Sequence, residues 1–206
     1  MKITDENIFV EAEKGNLDIL KHPSVDKVVD LDGWTPLHLL AWKGKVQVLE
    51  HPSVDKVVDN HGATPLHILA RDGKVQVLEH PSVDKAVNNN GWTPLHELAR
   101  AGKVQVLEHP SVDKAVDNYG NTPLHILARE GIVQVLEHTS VDKVVDKVVD
   151  KYGKTPLHRL AWQGKVPREW IKEKYPWFEL GDRNITVEIV TEIVSTSYAE
   201  RFILGL

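Results

Sequence analysis

The residues best equipped for chemistry are the histidines, eleven in a chain of 206 residues. Ten of them fall into two series with a common step. His38, His67, His96, His125 and His158 each close a Thr-Pro-Leu-His string, and His22, His51, His80, His109 and His138 recur further along each unit. His61 alone stands outside both series. A metal site needs three or four ligands converging on one point, whereas a residue that returns once per unit is spread along the chain. No HxxxH, HExxH or mixed histidine–carboxylate cluster breaks the period, so no metal is expected. The absence of cysteine removes disulfides, zinc–thiolate sites and thiol nucleophiles. The Asp and Glu residues recur with the same period, without an apolar cleft to set two carboxyl pKa values apart for acid–base work. GxSxG, P-loop and GxGxxG strings are missing as well. Neither an enzyme nor a cofactor is expected.

Composition narrows the partners. With 25 Lys and Arg against 30 Asp and Glu, the formal charge is −5, which argues against a general nucleic-acid binder. Apolar residues at 41% and charged residues at 27% fit a globular chain able to bury a core. The start, MKITDENIFVEAEKGN, has no apolar segment of the secretory kind, and no apolar run approaches the length of a membrane span. A soluble, cytoplasmic protein is expected, with no membrane contact and a monomer ahead of an oligomer.

What positions these residues is a repeat. Thr-Pro-Leu-His begins at Thr35, Thr64, Thr93, Thr122 and Thr155, at spacings of 29, 29, 29 and 33. A block KVQVLEHPSVDK is identical from Lys45, Lys74 and Lys103, and the stretches from Gly15 and Ile132 match it in register. The chemistry of one unit reads as a helix pair. Thr35 is an N-cap, Pro36 sits at the first helical position, and Leu37, Leu40 and Ala41 form one buried stripe. Gly44 ends that helix in a left-handed conformation. Val46, Val48 and Leu49 mark a second helix that Pro52 limits to about two turns. Ser53 to Gly62 is then a loop closing in a turn rich in Asp, Asn and Gly. A pair this short cannot bury its own apolar face, so units must stack into an all-α solenoid.

The block Asp59-Asn60-His61-Gly62-Ala63-Thr64-Pro65-Leu66-His67, followed by a small-residue helix, a glycine and a second helix, resembles the ankyrin-repeat family. The resemblance covers roughly residues 5 to 166. It implies an ankyrin-like stack in which the Thr-Pro-Leu-His histidines hold neighbouring turns together. Two features depart from the family pattern. The period is 29 instead of 33, and Leu40, Leu69, Leu98, Leu127 and Leu160 stand where the family has a small alanine. The larger leucine is expected to fill space that a shorter second helix leaves. In the second series, an imidazole near a helix C-terminus can bond the last carbonyls.

The expected organisation is a repeat array over 1–166 and a C-terminal helical cap over 167–206. The array comprises an N-terminal unit over 4–32 and units starting near 33, 62, 91, 120 and 153. The Asp-Lys-Val-Val duplication at 142–149 accounts for the spacing of 33 and reads as a tolerated loop insertion. The last segment could instead dock a partner.

Within the repeat, variation concentrates on the turn and the outer side of the first helix. Trp34 and Trp92 follow turn glycines; Glu97 and Arg159 follow the histidine; Trp42, Arg71, Arg100, Arg129 and Trp162 come three residues later. With His61, Tyr119 and Tyr152 at the turns, stacking makes these a continuous surface. Trp, Tyr and Arg dominate interface hot spots, and the family resemblance implies binding on this turn-plus-first-helix face. A row of arginines flanked by aromatics suits an acidic or extended peptide. The alternative is that the tryptophans pack between units and the arginines pair with Asp72 or Glu130. The function expected is a non-enzymatic protein-binding scaffold, with a structural spacer or self-assembling array as the second possibility.

Overall fold

The computed structural model describes residues 2–137, 149–167, 169 and 173. Over 2–137 and 149–167 six α-helices follow one another: α1 (Ile8–Glu13), α2 (Pro36–Trp42), α3 (Pro65–Arg71), α4 (Pro94–Arg100), α5 (Pro123–Arg129) and α6 (Pro156–Trp162). A five-residue 3₁₀ helix follows each of the first five: η1 (Leu17–Lys21), η2 (Val46–Glu50), η3 (Val75–Glu79), η4 (Val104–Glu108) and η5 (Val133–Glu137). Among the described residues no strand forms. Each α-helix packs on the next, and each 3₁₀ helix lies against the α-helix of its own unit and that of the following one. The architecture is an all-α repeat solenoid.

The local chemistry explains the elements. Thr35 is extended at the N-cap, and Pro36 opens α2 where a missing N–H costs nothing. At the other end Gly44 adopts φ +70°. Its N–H reaches the Ala41 carbonyl at 2.8 Å and the Lys45 N–H reaches the Leu40 carbonyl at 3.0 Å, the two bonds of a Schellman motif. The second element differs from the expected two-turn helix. Between the Schellman turn and Pro52 there is room for a single tight turn, and the His51 N–H bonds the Val48 carbonyl three residues back at 3.0 Å.

The core runs along the stack as one cluster. Leu37, Leu66, Leu95, Leu124 and Leu157 line it together with Leu40, Leu69, Leu98, Leu127 and Leu160, all essentially without solvent contact. Each 3₁₀ helix adds one buried side chain, such as Val48 or Val77, and the turn after each of the first four adds another, such as Val54 or Val83. In α1 and η1, Ile8, Ala12 and Ile19 fill the same places in the same register. Apart from Pro167, Glu169 and Glu173, the expected cap over 167–206 lies outside the described residues, as does most of the Asp-Lys-Val-Val duplication.

Candidate partner-binding face

Three bonding patterns hold the turns and first helices in line. In the first, each Thr-Pro-Leu-His histidine sits at the third position of its helix and closes a capping box. Nδ1 of His38, His67, His96, His125 and His158 accepts the backbone N–H of the N-cap threonine at 3.1 Å. Nδ1 is therefore the unprotonated nitrogen, and Nε2–H donates across to the next unit. His38 reaches the Ala63 carbonyl at 3.0 Å, His67 that of Trp92 at 2.9 Å, His96 that of Asn121 at 3.0 Å and His125 that of Lys154 at 2.9 Å. Burial pushes the pKa of His38, His67 and His96 below the usual 6.5, and that of His125 down to about 4. These rings are neutral struts.

The second pattern closes each turn. Asp59 Oδ1 accepts the N–H groups of His61 and Ala63, both at 2.8 Å, and Asp30, Asn88, Asp117 and Asp150 act alike in their own turns. The third joins turn to turn. The Asn60 N–H donates to the Asp32 carbonyl at 3.0 Å, while the Asn60 side-chain amide donates to the Leu31 carbonyl at 3.0 Å. Asn89 and Asn118 repeat this pair of bonds one unit further each time. The approach is close: a Cβ on Gly62, whose φ is +74°, would lie 2.6 Å from Asn89 Oδ1. This asparagine ladder was not anticipated from the sequence, although its signal, an Asn two residues before the turn glycine in three successive units, is visible there.

On this frame the candidate face residues separate into exposed and embedded groups. Trp42 and Trp162, at the ends of α2 and α6, are each 59% exposed. His61, Tyr119 and Tyr152 stand exposed at the turn tips, with Lys151 Nζ 3.8 Å from the Tyr119 ring centroid and 5.0 Å from that of Tyr152. Trp34 and Trp92 are half-buried and tied into the stack. Trp34 packs edge-on against Trp42 at 6.5 Å and tilts over His38 at 6.1 Å. Trp92 donates from Nε1 to Asp117 of the next unit at 3.1 Å, packs on His96 at 5.9 Å and carries the Arg100 guanidinium at 5.5 Å.

Glu97 departs from the expectation of an exposed position. It is buried, because a seven-residue helix with neighbours on both sides has most of its circumference covered; Ile68 and Ile126 occupy the same place and are buried too. Its carboxylate is flanked by Arg71, 3.1 Å away across the unit boundary, and Arg100, 2.9 Å away on its own helix. Arg71 thus pairs with Glu97, while Asp72 pairs with Lys74 at 3.0 Å. Arg129 does meet Glu130, at 3.4 Å. Arg71, Arg100 and Arg129 still keep between 41% and 48% of their side-chain surface in solvent. Arg159 is withdrawn further, bonded to the buried Asp150 of its own turn.

The second histidine series also departs from the expectation. Nδ1 of His22, His51, His80 and His109 accepts the backbone N–H of the serine two residues on, at 3.3, 3.2, 3.2 and 3.1 Å, so these rings cap the following turn and leave the helix carbonyls alone. Ser53, Ser82 and Ser111 in turn donate to Asp26, Asp55 and Asp84 of the preceding unit. Among the described residues no group of three or more His, Asp or Glu is placed to hold a metal ion, and no helix is long and apolar enough to cross a membrane.

No curated protein matches the chain. The ankyrin-repeat family model matches residues 119–146, one unit from its turn through α5 and η5 and beyond. The units of α2, α3 and α4 repeat that turn, capping box, Schellman ending and 3₁₀ helix in the same register, each bonded to its neighbour by the same histidine. Ankyrin repeats are generally modules of protein–protein interaction, in a family that is typically non-enzymatic. Over residues 119–146 the chain is similar to an ankyrin repeat.

Proposed function

We propose that the protein is a non-enzymatic scaffold that presents its turns and first helices to a protein or peptide partner. The observation that carries this reading is the alignment of solvent-facing Trp42, Arg71, Arg100, Arg129 and Trp162 at one position of successive units. Aromatic and arginine side chains supply most binding energy at protein interfaces. Glu97 and Glu130 hold the guanidinium groups in place. A partner carboxylate would therefore meet donors whose side-chain entropy is already reduced. An extended acidic segment running along the stack fits that row best, with Tyr119 and Tyr152 at its margin.

The test is affinity capture from the native host lysate by the wild-type protein and by a triple variant, Trp42→Ala, Arg100→Ala and Trp162→Ala, after circular dichroism shows equal folding. A protein retained by the wild type and lost by the variant is the expected result. Equal retention removes this face from consideration. If neither captures anything, the spacer reading moves ahead, which the near-identity of the blocks from Lys45, Lys74 and Lys103 favours.

A further inference from the structure

Asn90 and Gly91 form the one Asn-Gly pair in the sequence, and they stand at the tip of the turn that enters α4. Asn88, Asn89 and Asn90 share this turn, and the side chains of the first two are used. Asn88 Oδ1 accepts the N–H groups of Asn90 at 2.9 Å and Trp92 at 3.0 Å, and the Asn89 side-chain amide donates to the Asn60 carbonyl at 3.2 Å. Asn90 is exposed, and among the described residues its side chain has no hydrogen-bond partner. Asn60, Asn88, Asn89 and Asn118 are each followed by a residue whose side chain crowds the next main-chain nitrogen, whereas Gly91 has none. No other residue fits at 91: φ is +75°, and a Cβ there would lie 2.5 Å from Asn118 Oδ1. The stack itself thus keeps a free carboxamide beside an unhindered nitrogen.

We infer that Asn90 is a self-modification site: its side chain cyclises onto Gly91 and ends as aspartate or isoaspartate, and the isoaspartate loosens the joints of this turn. The Gly91 nitrogen gives its proton to solvent base and attacks Asn90 Cγ. The bond from Cγ to the side-chain nitrogen breaks, that nitrogen takes up a proton and leaves as ammonia, and a five-membered succinimide remains. Water then opens one of the two carbonyl–nitrogen bonds of the ring. Opening at Cγ gives aspartate. Opening at the main-chain carbonyl gives isoaspartate, in which the chain runs through Cβ and Cγ and the former carbonyl is a free carboxylate. Water enters and ammonia leaves, nothing is oxidised or reduced, and the chain gains about 1 Da and one negative charge. In the closed turn the Gly91 N–H is held by the Asn88 carbonyl at 2.9 Å, so attack proceeds when this exposed tip opens locally. The two products act differently on the stack. Asp32 holds the same place in the turn before α2, where its carbonyl takes the Asn60 N–H at 3.0 Å, just as that of Asn90 takes the Asn118 N–H at 3.1 Å. Ordinary aspartate therefore leaves the turn intact. Isoaspartate lengthens the main chain between Asn88 and Trp92 and displaces the Trp92 carbonyl, on which the His67 strut rests at 2.9 Å.

The full chain is incubated at neutral pH and about 37 °C for several weeks, folded or unfolded in guanidinium chloride, beside Asn90→Gln and Asn90→Asp proteins. The tryptic peptide 86–100 is then followed by mass spectrometry, with isoaspartate read by methyl transfer from an isoaspartyl methyltransferase. A gain of about 1 Da that fragment ions place at Asn90 is expected in the folded wild type, faster in the unfolded chain, and missing in Asn90→Gln. In urea denaturation followed by circular dichroism, the isoaspartate-containing fraction of the aged wild type should unfold at a lower midpoint than fresh protein. Fresh Asn90→Asp and aged Asn90→Gln should unfold where fresh wild type does. The inference is overturned if the folded protein gains no mass at Asn90, since the stack then seals the site. Conversion of Asn88, Asn89 or Asn118 as fast as Asn90 overturns it too, as does an unshifted midpoint in protein shown to carry isoaspartate.

Discussion

Acid should dismantle the histidine struts before it protonates most carboxylates. Each strut accepts a threonine N–H on Nδ1 and donates from Nε2, so a proton added to Nδ1 would face another donor at 3.1 Å. For His125 the folded-state pKa is about 4 against an ordinary 6.5. Because the folded value is depressed for a base, the unfolded chain takes up its proton first as pH falls. The stabilisation is therefore complete above about 6.5 and is lost progressively on the way down to about 4. At about 1.4 kcal/mol per pKa unit, His125 alone accounts for about 3 kcal/mol in full, and about 2 kcal/mol of it is gone by pH 5. In the steep part of that window His125 adds about 1 kcal/mol per pH unit to the slope of stability, and His38, His67 and His96 act in the same direction. The assay is urea denaturation followed by circular dichroism at pH values from about 7.5 to 4.5, on the wild type and His125→Gln. Glutamine can accept the Thr122 N–H from the same helical position but does not titrate. The variant should show a shallower slope by about 1 kcal/mol per pH unit. A wild-type stability that is flat from pH 7.5 to 5, or equal slopes in the two proteins, would refute the assignment of these rings as neutral struts.

Two further outcomes follow from the packing. Gly62→Ala should destabilise by about 1–3 kcal/mol in the same denaturation assay, since it puts a Cβ at positive φ and 2.6 Å from Asn89 Oδ1. Glu97→Ile should leave stability unchanged or raise it, because Ile68 and Ile126 fill that place in neighbouring units and a buried carboxylate between two guanidinium groups is costly to desolvate. A loss above about 3 kcal/mol on Glu97→Ile, the size expected for breaking a buried pair, would show that the ionic cluster supports the fold.

The parts of the fold legible in the sequence were those set by short-range chemistry. Threonine before proline fixes the start of α2 and glycine fixes its end, and both follow from backbone rules needing no knowledge of the neighbours. The spacing of the strings then made stacking unavoidable. What was not legible depends on the next unit. Glu97 reads as a surface residue on one isolated helix, and it is buried only because α3 and α5 flank α4. Trp92 reads as a free aromatic until Asp117 of the following unit is placed at its indole N–H. The second element looked like a helix of two turns because its apolar spacing is helical, but a 3₁₀ turn uses the same valine and leucine with fewer residues.

The acceptor of each histidine strut is a main-chain carbonyl, and the residue that owns it is Ala63, Trp92, Asn121 or Lys154. Those four positions differ in size, charge and polarity, yet the bond they receive is the same within 0.1 Å. A joint that reads only backbone is indifferent to the side chain it passes. Mutation can therefore rewrite the outward-facing letters of one unit, in evolution or in the laboratory, without renegotiating the mortar between units, and a new specificity can be drafted on this array one residue at a time.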